Sequence, residues 1–160
     1  MHKGIFLDRD GVVNKEKGEY IYQLDKFELN DSLIDFLKEV SQRGYLIIII
    51  TNQGGVAKGI YTLNEVEAIN EYIFNELKKE NINISEIYAC PHHPDYGKCL
   101  CRKPDSLMLE KAMARFDIDA SKSYFIGDAE RDILAGEKAG VKSIKIESNS
   151  NLLSIIKLIR

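Results

Sequence analysis

The run Leu46-Ile47-Ile48-Ile49-Ile50, extended backwards by Tyr45, leaves the chain few ways to fold. An unbroken apolar strand is buried on both faces, and such strands belong to parallel sheets covered by helices on either side. It is far shorter than the ~18 apolar residues that a membrane span needs. Strand and helix periodicities alternate around it. Residues 4–7 read as a short buried strand that ends at Asp8. Residues 31–43 read as a helix with Leu33, Ile34, Leu37 and Val40 on one face and Gly44 as its stop. Thr62-Leu63-Asn64-Glu65 matches a capping box and opens a helix to about residue 80, with Val66, Ile69, Ile73 and Leu77 inside. Strands are expected at 86–89, 123–126 and 142–146, and helices at 106–116 and 130–139. An amphipathic helix carrying Leu152, Leu153, Ile156 and Ile159 closes the chain. This alternation predicts right-handed crossovers and an α/β fold, a Rossmann-like domain whose mainly parallel sheet is flanked by helices.

The 160 residues suit one domain, 1–160, and no composition shift or repeat marks a boundary. With 22 basic and 25 acidic side chains, the chain lacks the basic excess of a nucleic-acid binder. The N-terminus offers Lys3 and three apolar residues before Asp8, which is no secretory signal. A compact, soluble, cytoplasmic monomer is expected, with neither a nucleic-acid nor a membrane partner.

In a parallel sheet, reactive groups gather beyond the carboxyl ends of the strands. Asp8-Arg9-Asp10-Gly11 follows the first strand; alone, two acids one residue apart are equally natural as solvated loop charges. Thr51-Asn52-Gln53-Gly54-Gly55 follows the Ile-rich strand and offers a hydroxyl, amides and free N–H groups that suit an oxyanion. Read singly, it is also an ordinary Gly-rich turn. Arg102-Lys103 is either an anion-binding pair or a solvated doublet. Gly127-Asp128 follows the fourth strand, and Asp132 one turn later could simply favour its helix N-terminus. Together these groups share one edge, where Asp8 and Asp128 would repel each other and any phosphate unless a divalent cation lay between them. Mg²⁺, with its demand for hard oxygen ligands, suits that place.

In order, Asp8-Arg9-Asp10-Gly11-Val12-Val13-Asn14, Thr51-Asn52-Gln53, Arg102-Lys103-Pro104 and Gly127-Asp128-x-x-x-Asp132 resemble the four motifs of the haloacid dehalogenase-like phosphatases. The likeness spans essentially the whole chain. It implies that Asp8 is the nucleophile, forming an aspartyl phosphate, and that Asp10 is the general acid and base. Thr51 and Lys103 would hold the transferring phosphoryl oxygens. Mg²⁺ would lie on Asp8, the Asp10 carbonyl and Asp128, while Arg102, Asn52, Gln53 and Glu16 would contact substrate.

Cys90-Pro91-His92-His93-Pro94 and Cys99-Leu100-Cys101 are similar to the branch that holds heptose bisphosphate phosphatases and histidinol-phosphatase domains. Three cysteines and an imidazole form a set typical of a closed tetrahedral Zn²⁺ site. The resemblance favours Cys90, His92, Cys99 and Cys101 as ligands, with His93 left to pack. The zinc-binding loop would run directly into Arg102 and Lys103. Between Asp10 and Gln53 one loop, one helix and one strand use up the chain, so no cap domain fits, and Lys15–Glu28 must help to wall the site.

A small phosphorylated sugar or polyol is the implied substrate. Thr51–Gly59 resembles the heptose enzymes and favours removal of the 7-phosphate of D-glycero-D-manno-heptose 1,7-bisphosphate. Two departures keep histidinol phosphate open: Asp105-Ser106-Leu107-Met108 replaces the usual Pro-Gly-Met stretch, and Ala129 stands where a Lys is common. A non-catalytic phosphate-binding module would be signalled by loss of Asp10, which is intact.

Overall fold

The computed structural model describes residues 1–160. Five strands, β1 (Lys3–Leu7), β2 (Tyr45–Asn52), β3 (Glu86–Cys90), β4 (Tyr124–Gly127) and β5 (Lys142–Lys145), form one wholly parallel sheet in the order β3-β2-β1-β4-β5. Four helices, α1 (Leu33–Gln42), α2 (Leu63–Lys79), α3 (Leu107–Phe116) and α4 (Glu130–Lys138), cover its faces. No helix is long and apolar enough to cross a membrane.

Period-two alternation sorts the strand side chains. Ile5, Leu7, Ile47, Ile49, Tyr124 and Ile126 point to one face, where they meet Leu33, Phe36, Leu37 and Val40 of α1 and Ile69, Ile73 and Leu77 of α2. Phe6, Ile48, Ile50 and Phe125 point to the other, against Met108, Leu109 and Ala112 of α3 and Ala135 of α4. Each fully buried Ile, Leu or Phe contributes about 1.5–3 kcal/mol from area removed from water, which is why an Ile-rich run settles inside the sheet.

The capping box forms as expected: Glu65 N–H donates to Thr62 Oγ1, and Thr62 N–H donates to Glu65 Oε2 at 2.8 Å. Two expectations need correction. The Ile-rich strand does not stop at Ile50, because Thr51 and Asn52 stay in the ladder opposite Ala89 and Cys90. The closing segment, Leu152–Leu158, is a 3₁₀ run rather than an α-helix. The Asn151 side chain captures the Leu153 N–H, and Arg43 takes the carbonyls of Ile156 and Ile159. Those carbonyls are then claimed from outside, and the tighter winding buries Leu152 and Ile159 but leaves Leu153 exposed.

Three long segments begin at the carboxyl edge of the sheet: 8–32 after β1, 53–62 after β2 and 91–106 after β3. They hold only single turns of 3₁₀ helix, at Leu24–Lys26 and Pro94–Tyr96.

Candidate active site

Asp8 comes directly off the central strand and is almost fully buried. Its Oδ1 accepts from Lys103 Nζ at 2.8 Å and from the Arg9 backbone N–H at 2.8 Å. The ammonium, 1% exposed, also donates to the Ile50 carbonyl at 2.9 Å and lies 2.7 Å from Asp132 Oδ1. Burial alone would push Lys103 down, but Asp8 and Asp132 outweigh it and hold the ammonium above its ordinary value. Burial is also the largest influence on Asp8, whose carboxyl is pushed up to about 7 against the pull of Lys103.

Asp132 is fully buried, and its Oδ1 faces the Lys103 ammonium. Its Oδ2 accepts the Ala129 N–H at 3.1 Å. Asp128 is half-buried and accepts from the Ser148 hydroxyl. Carboxylate oxygens of Asp8, Asp128 and Asp132 lie within 4.8 Å of one another, with one ammonium among three acids. An all-oxygen set of three carboxylates with a single cation among them fits a hard divalent cation. Gly11, at φ +93°, makes room for the Asp128 carboxylate, since a Cβ there would stand 2.0 Å from Asp128 Oδ2.

Asp10 is held differently. Its Oδ1 accepts from Arg9 Nη2 at 2.9 Å and Asn14 Nδ2 at 3.0 Å, and its Oδ2 from Gln53 Nε2 at 3.1 Å. Burial pushes its carboxyl up, but Arg9 and these donors outweigh that and leave it below the ordinary range. Thr51 Oγ1 accepts from Gln53 Nε2 at 2.8 Å, while its own proton has only a 3.4 Å contact with the Asn52 carbonyl. Asn52 spends both ends of its amide on the Lys103 backbone, at 3.0 and 3.1 Å, and so clamps the loop that delivers the ammonium.

Asp10, Glu16, Asn52, Gln53 and Arg102 line one cleft of about 220 Å³, together with Tyr20, His93 and Arg131. Glu16 stands at its rim, where its carboxylate accepts the Gly18 N–H at 2.6 Å. The expected residues therefore fall into two neighbouring groups. Asp8, Lys103 and Asp128 surround the buried acidic cluster, and Asp10 with the amide side chains opens onto the cleft.

Cys90, His92, Cys99 and Cys101 place one ligand atom each within 4.8 Å of the others. Cys90 and Cys99 sulfurs are 3.8 Å apart, close to the edge of a tetrahedron with Zn–S bonds of ~2.3 Å. Cys101 Sγ, 2.9 Å from Cys90, would have to open on ligation. His92 Nδ1 points into the cluster, 3.4 Å from Cys90 and 3.2 Å from Cys101, whereas His93 Nδ1 accepts the Asp95 N–H. All three cysteines are free thiols. Burial raises the Cys90 thiol well above its ordinary value, an opposition that metal ligation would have to overcome. Arg102 Nη1 donates to the His92 carbonyl at 2.9 Å and so ties the cluster to the cleft.

Two participants escape a reading of the sequence. Arg9 is 1% exposed and joins Asp10 to the Ile21 carbonyl, at 2.9 and 2.7 Å. Its position between two aspartates is the available signal. Asp132 reads from sequence as a helix-terminal charge, and its spacing four residues after Asp128 is the sign that both face one site.

A family model described as HAD-hydrolase-like matches residues 100–153. The D-glycero-alpha-D-manno-heptose-1,7-bisphosphate 7-phosphatase of Photorhabdus laumondii is 41% identical over 145 residues, covering 87% of this chain and 79% of its own. The D-glycero-beta-D-manno-heptose-1,7-bisphosphate 7-phosphatase of Haemophilus influenzae is 38% identical over 148 residues, covering 89% and 79%. Among solved structures, the D,D-heptose 1,7-bisphosphate phosphatase of B. bronchiseptica, complexed with magnesium and phosphate, superposes with a TM-score of 0.85. It is 28% identical and covers 97% of this chain and 86% of its own.

Proposed function

Because the chain belongs to the haloacid dehalogenase-like phosphatases, we propose that it removes the 7-phosphate of D-glycero-D-manno-heptose 1,7-bisphosphate through an aspartyl phosphate on Asp8. The observation that carries this reading is the meeting of Asp8, Lys103 and Asp128 at the carboxyl edge, with Asp10 opening onto the adjoining cleft.

Lys103 and the Arg9 N–H both hold Asp8 Oδ1, which leaves Oδ2 to attack phosphorus. As the Oδ2–P bond forms, the bond from phosphorus to the sugar oxygen breaks, and Asp10 donates a proton to that oxygen. Asp10 begins as a carboxylate and takes up that proton from solvent as the phosphate dianion enters beside it, because like-charge repulsion raises its proton affinity. Asp10 then takes a proton from water, whose oxygen attacks phosphorus and breaks the bond to Asp8. Thr51, whose hydroxyl proton is barely engaged, and Lys103, whose ammonium stands beside Asp8, steady the phosphoryl oxygens throughout. Asp8, the Asp10 carbonyl and Asp128 would hold Mg²⁺, which would supply charge neutralisation when bound. Arg102, on the cleft wall, offers its guanidinium to the second phosphate.

Zn²⁺ on Cys90, His92, Cys99 and Cys101 is assigned a structural role, since the set leaves no open position. Cys101 is followed at once by Arg102 and Lys103, so a bound metal would fix where both cations stand. Purified protein is expected to hold about one zinc per chain by elemental analysis. Cys99→Ser should lose both the zinc and most of the turnover while every catalytic side chain remains. Full activity in zinc-free protein would reject this role.

The decisive assay compares phosphate release from both anomers of heptose 1,7-bisphosphate, histidinol phosphate and simple sugar monophosphates, with Mg²⁺ present. The heptose bisphosphate is expected to give the highest kcat/KM. A preference for histidinol phosphate would redirect the substrate assignment, and no release from any ester would point to a phosphate-binding module.

A further inference from the structure

Tyr61 ends the loop between β2 and α2 and is only 4% exposed. Its ring stacks on Tyr22, with centroids 5.0 Å apart and 11° between planes, and tilts against Tyr20 at 5.8 Å. Gly55 admits the ring, since a Cβ there would stand 2.1 Å from it. The Tyr61 hydroxyl donates to Gln53 Oε1 at 2.6 Å. Gln53 is itself buried, and its Nε2 donates to Asp10 Oδ2 at 3.1 Å and Thr51 Oγ1 at 2.8 Å.

This chain of contacts runs one way. A carboxylate oxygen only accepts, so the Gln53 NH₂ must face Asp10, and Oε1 must face the aromatic wall. The Tyr61 hydroxyl is the one donor that meets Oε1 there. Burial pushes the phenol up to about 12, so its proton stays in place at neutral pH. A phenylalanine ring would fill the same space and keep the stack on Tyr22. It would strand a buried amide oxygen without a donor, and the amide would turn away from Asp10 to find one.

We propose that Tyr61 is a positioning residue: its hydroxyl fixes the Gln53 amide, which in turn holds Asp10 and Thr51 in working orientation. The proposal rests on the phosphatase reading above, in which Asp10 exchanges protons with the leaving group and with water. A tyrosine that only filled space would act through its ring, which phenylalanine retains.

A double-mutant cycle tests it, using zinc-replete protein with Mg²⁺ and heptose 1,7-bisphosphate. Tyr61→Phe is expected to lower kcat about tenfold, with KM changed by less than about twofold and the thermal midpoint nearly unmoved. In a Gln53→Met background the same change should alter kcat by less than about twofold, because the partner it acts through is gone. Equal losses in both backgrounds, a raised KM alone, or an unchanged kcat in Tyr61→Phe would overturn the proposal. Should Gln53→Met fail to fold, the single variant still decides: loss of kcat at constant KM and constant folded fraction upholds it. Absence of phosphate release by the wild type would sink the functional reading itself, whereas additive losses in active protein sink only the coupling.

Discussion

Asp8→Asn should lower turnover at least about 10⁴-fold, the scale at which removal of a covalent nucleophile registers. The fold should survive. The oxygen of the new amide can still accept from Lys103 and the Arg9 N–H, and Lys103 keeps Asp132 as its counter-charge. Stability should even gain at high pH. Burial raises the Asp8 carboxyl to about 7 in the folded chain, above its unfolded value near 4. The folded state therefore binds the proton more tightly, and its margin shrinks as pH rises between those two values. An amide in its place does not titrate. Without added magnesium, the variant's thermal midpoint should draw level with or pass the wild type's between pH 5 and pH 8. Phosphate-release rates and melting curves at both pH values check the two claims. Wild-type-like rates would eliminate the covalent mechanism.

Lys103→Met should cost both stability and rate. The ammonium is buried between Asp8 and Asp132, so its removal leaves two acids facing each other away from water. Breaking a buried pair from one side costs about 3–5 kcal/mol. Turnover should fall by about 10²–10³-fold, as when one stabiliser of developing charge is deleted. The stability loss should shrink towards pH 4, where Asp8, raised to about 7, carries a proton, and Mg²⁺ should recover part of it at pH 7 without restoring the rate. Urea denaturation at pH 4 and pH 7, with and without Mg²⁺, measures both effects. A cost under about 1 kcal/mol would place this contact among weak, solvated ion pairs.

The sheet and its two helical layers are legible because period-two and 3.6-residue patterns are written in apolar side chains, as in Ile47–Ile50 and Val66–Leu77. Polar residues carry no such pattern, so the last two ladder positions of β2, Thr51 and Asn52, read as loop. Lys103, well past the end of β3, is placed only by the likeness of its motif, whereas Asp8 and Asp128 can be gathered from strand ends because topology alone brings those ends together. Arg9 cannot. Arginines are mostly exposed, and nothing local says that this one turns inward to hold Asp10 and the Ile21 carbonyl. Asp132 illustrates the same blind spot, since a carboxylate in the first turn of a helix serves that helix equally well from the surface. The choice between His92 and His93 turns on how the backbone arrives after β3, which neighbouring identical side chains do not reveal.

The position of β1 between β2 and β4 also governs what happens on the ribosome. Residues 3–7 can zip onto residues 45–49 early in translation, yet their other edge stays unpaired until residues 124–126 have emerged. Asp128 follows two residues after the last of these. A nascent chain that has not reached it carries Asp8 without Asp128 and Asp132, so the acidic cluster is incomplete while the β1 edge stands open to pairing with other chains.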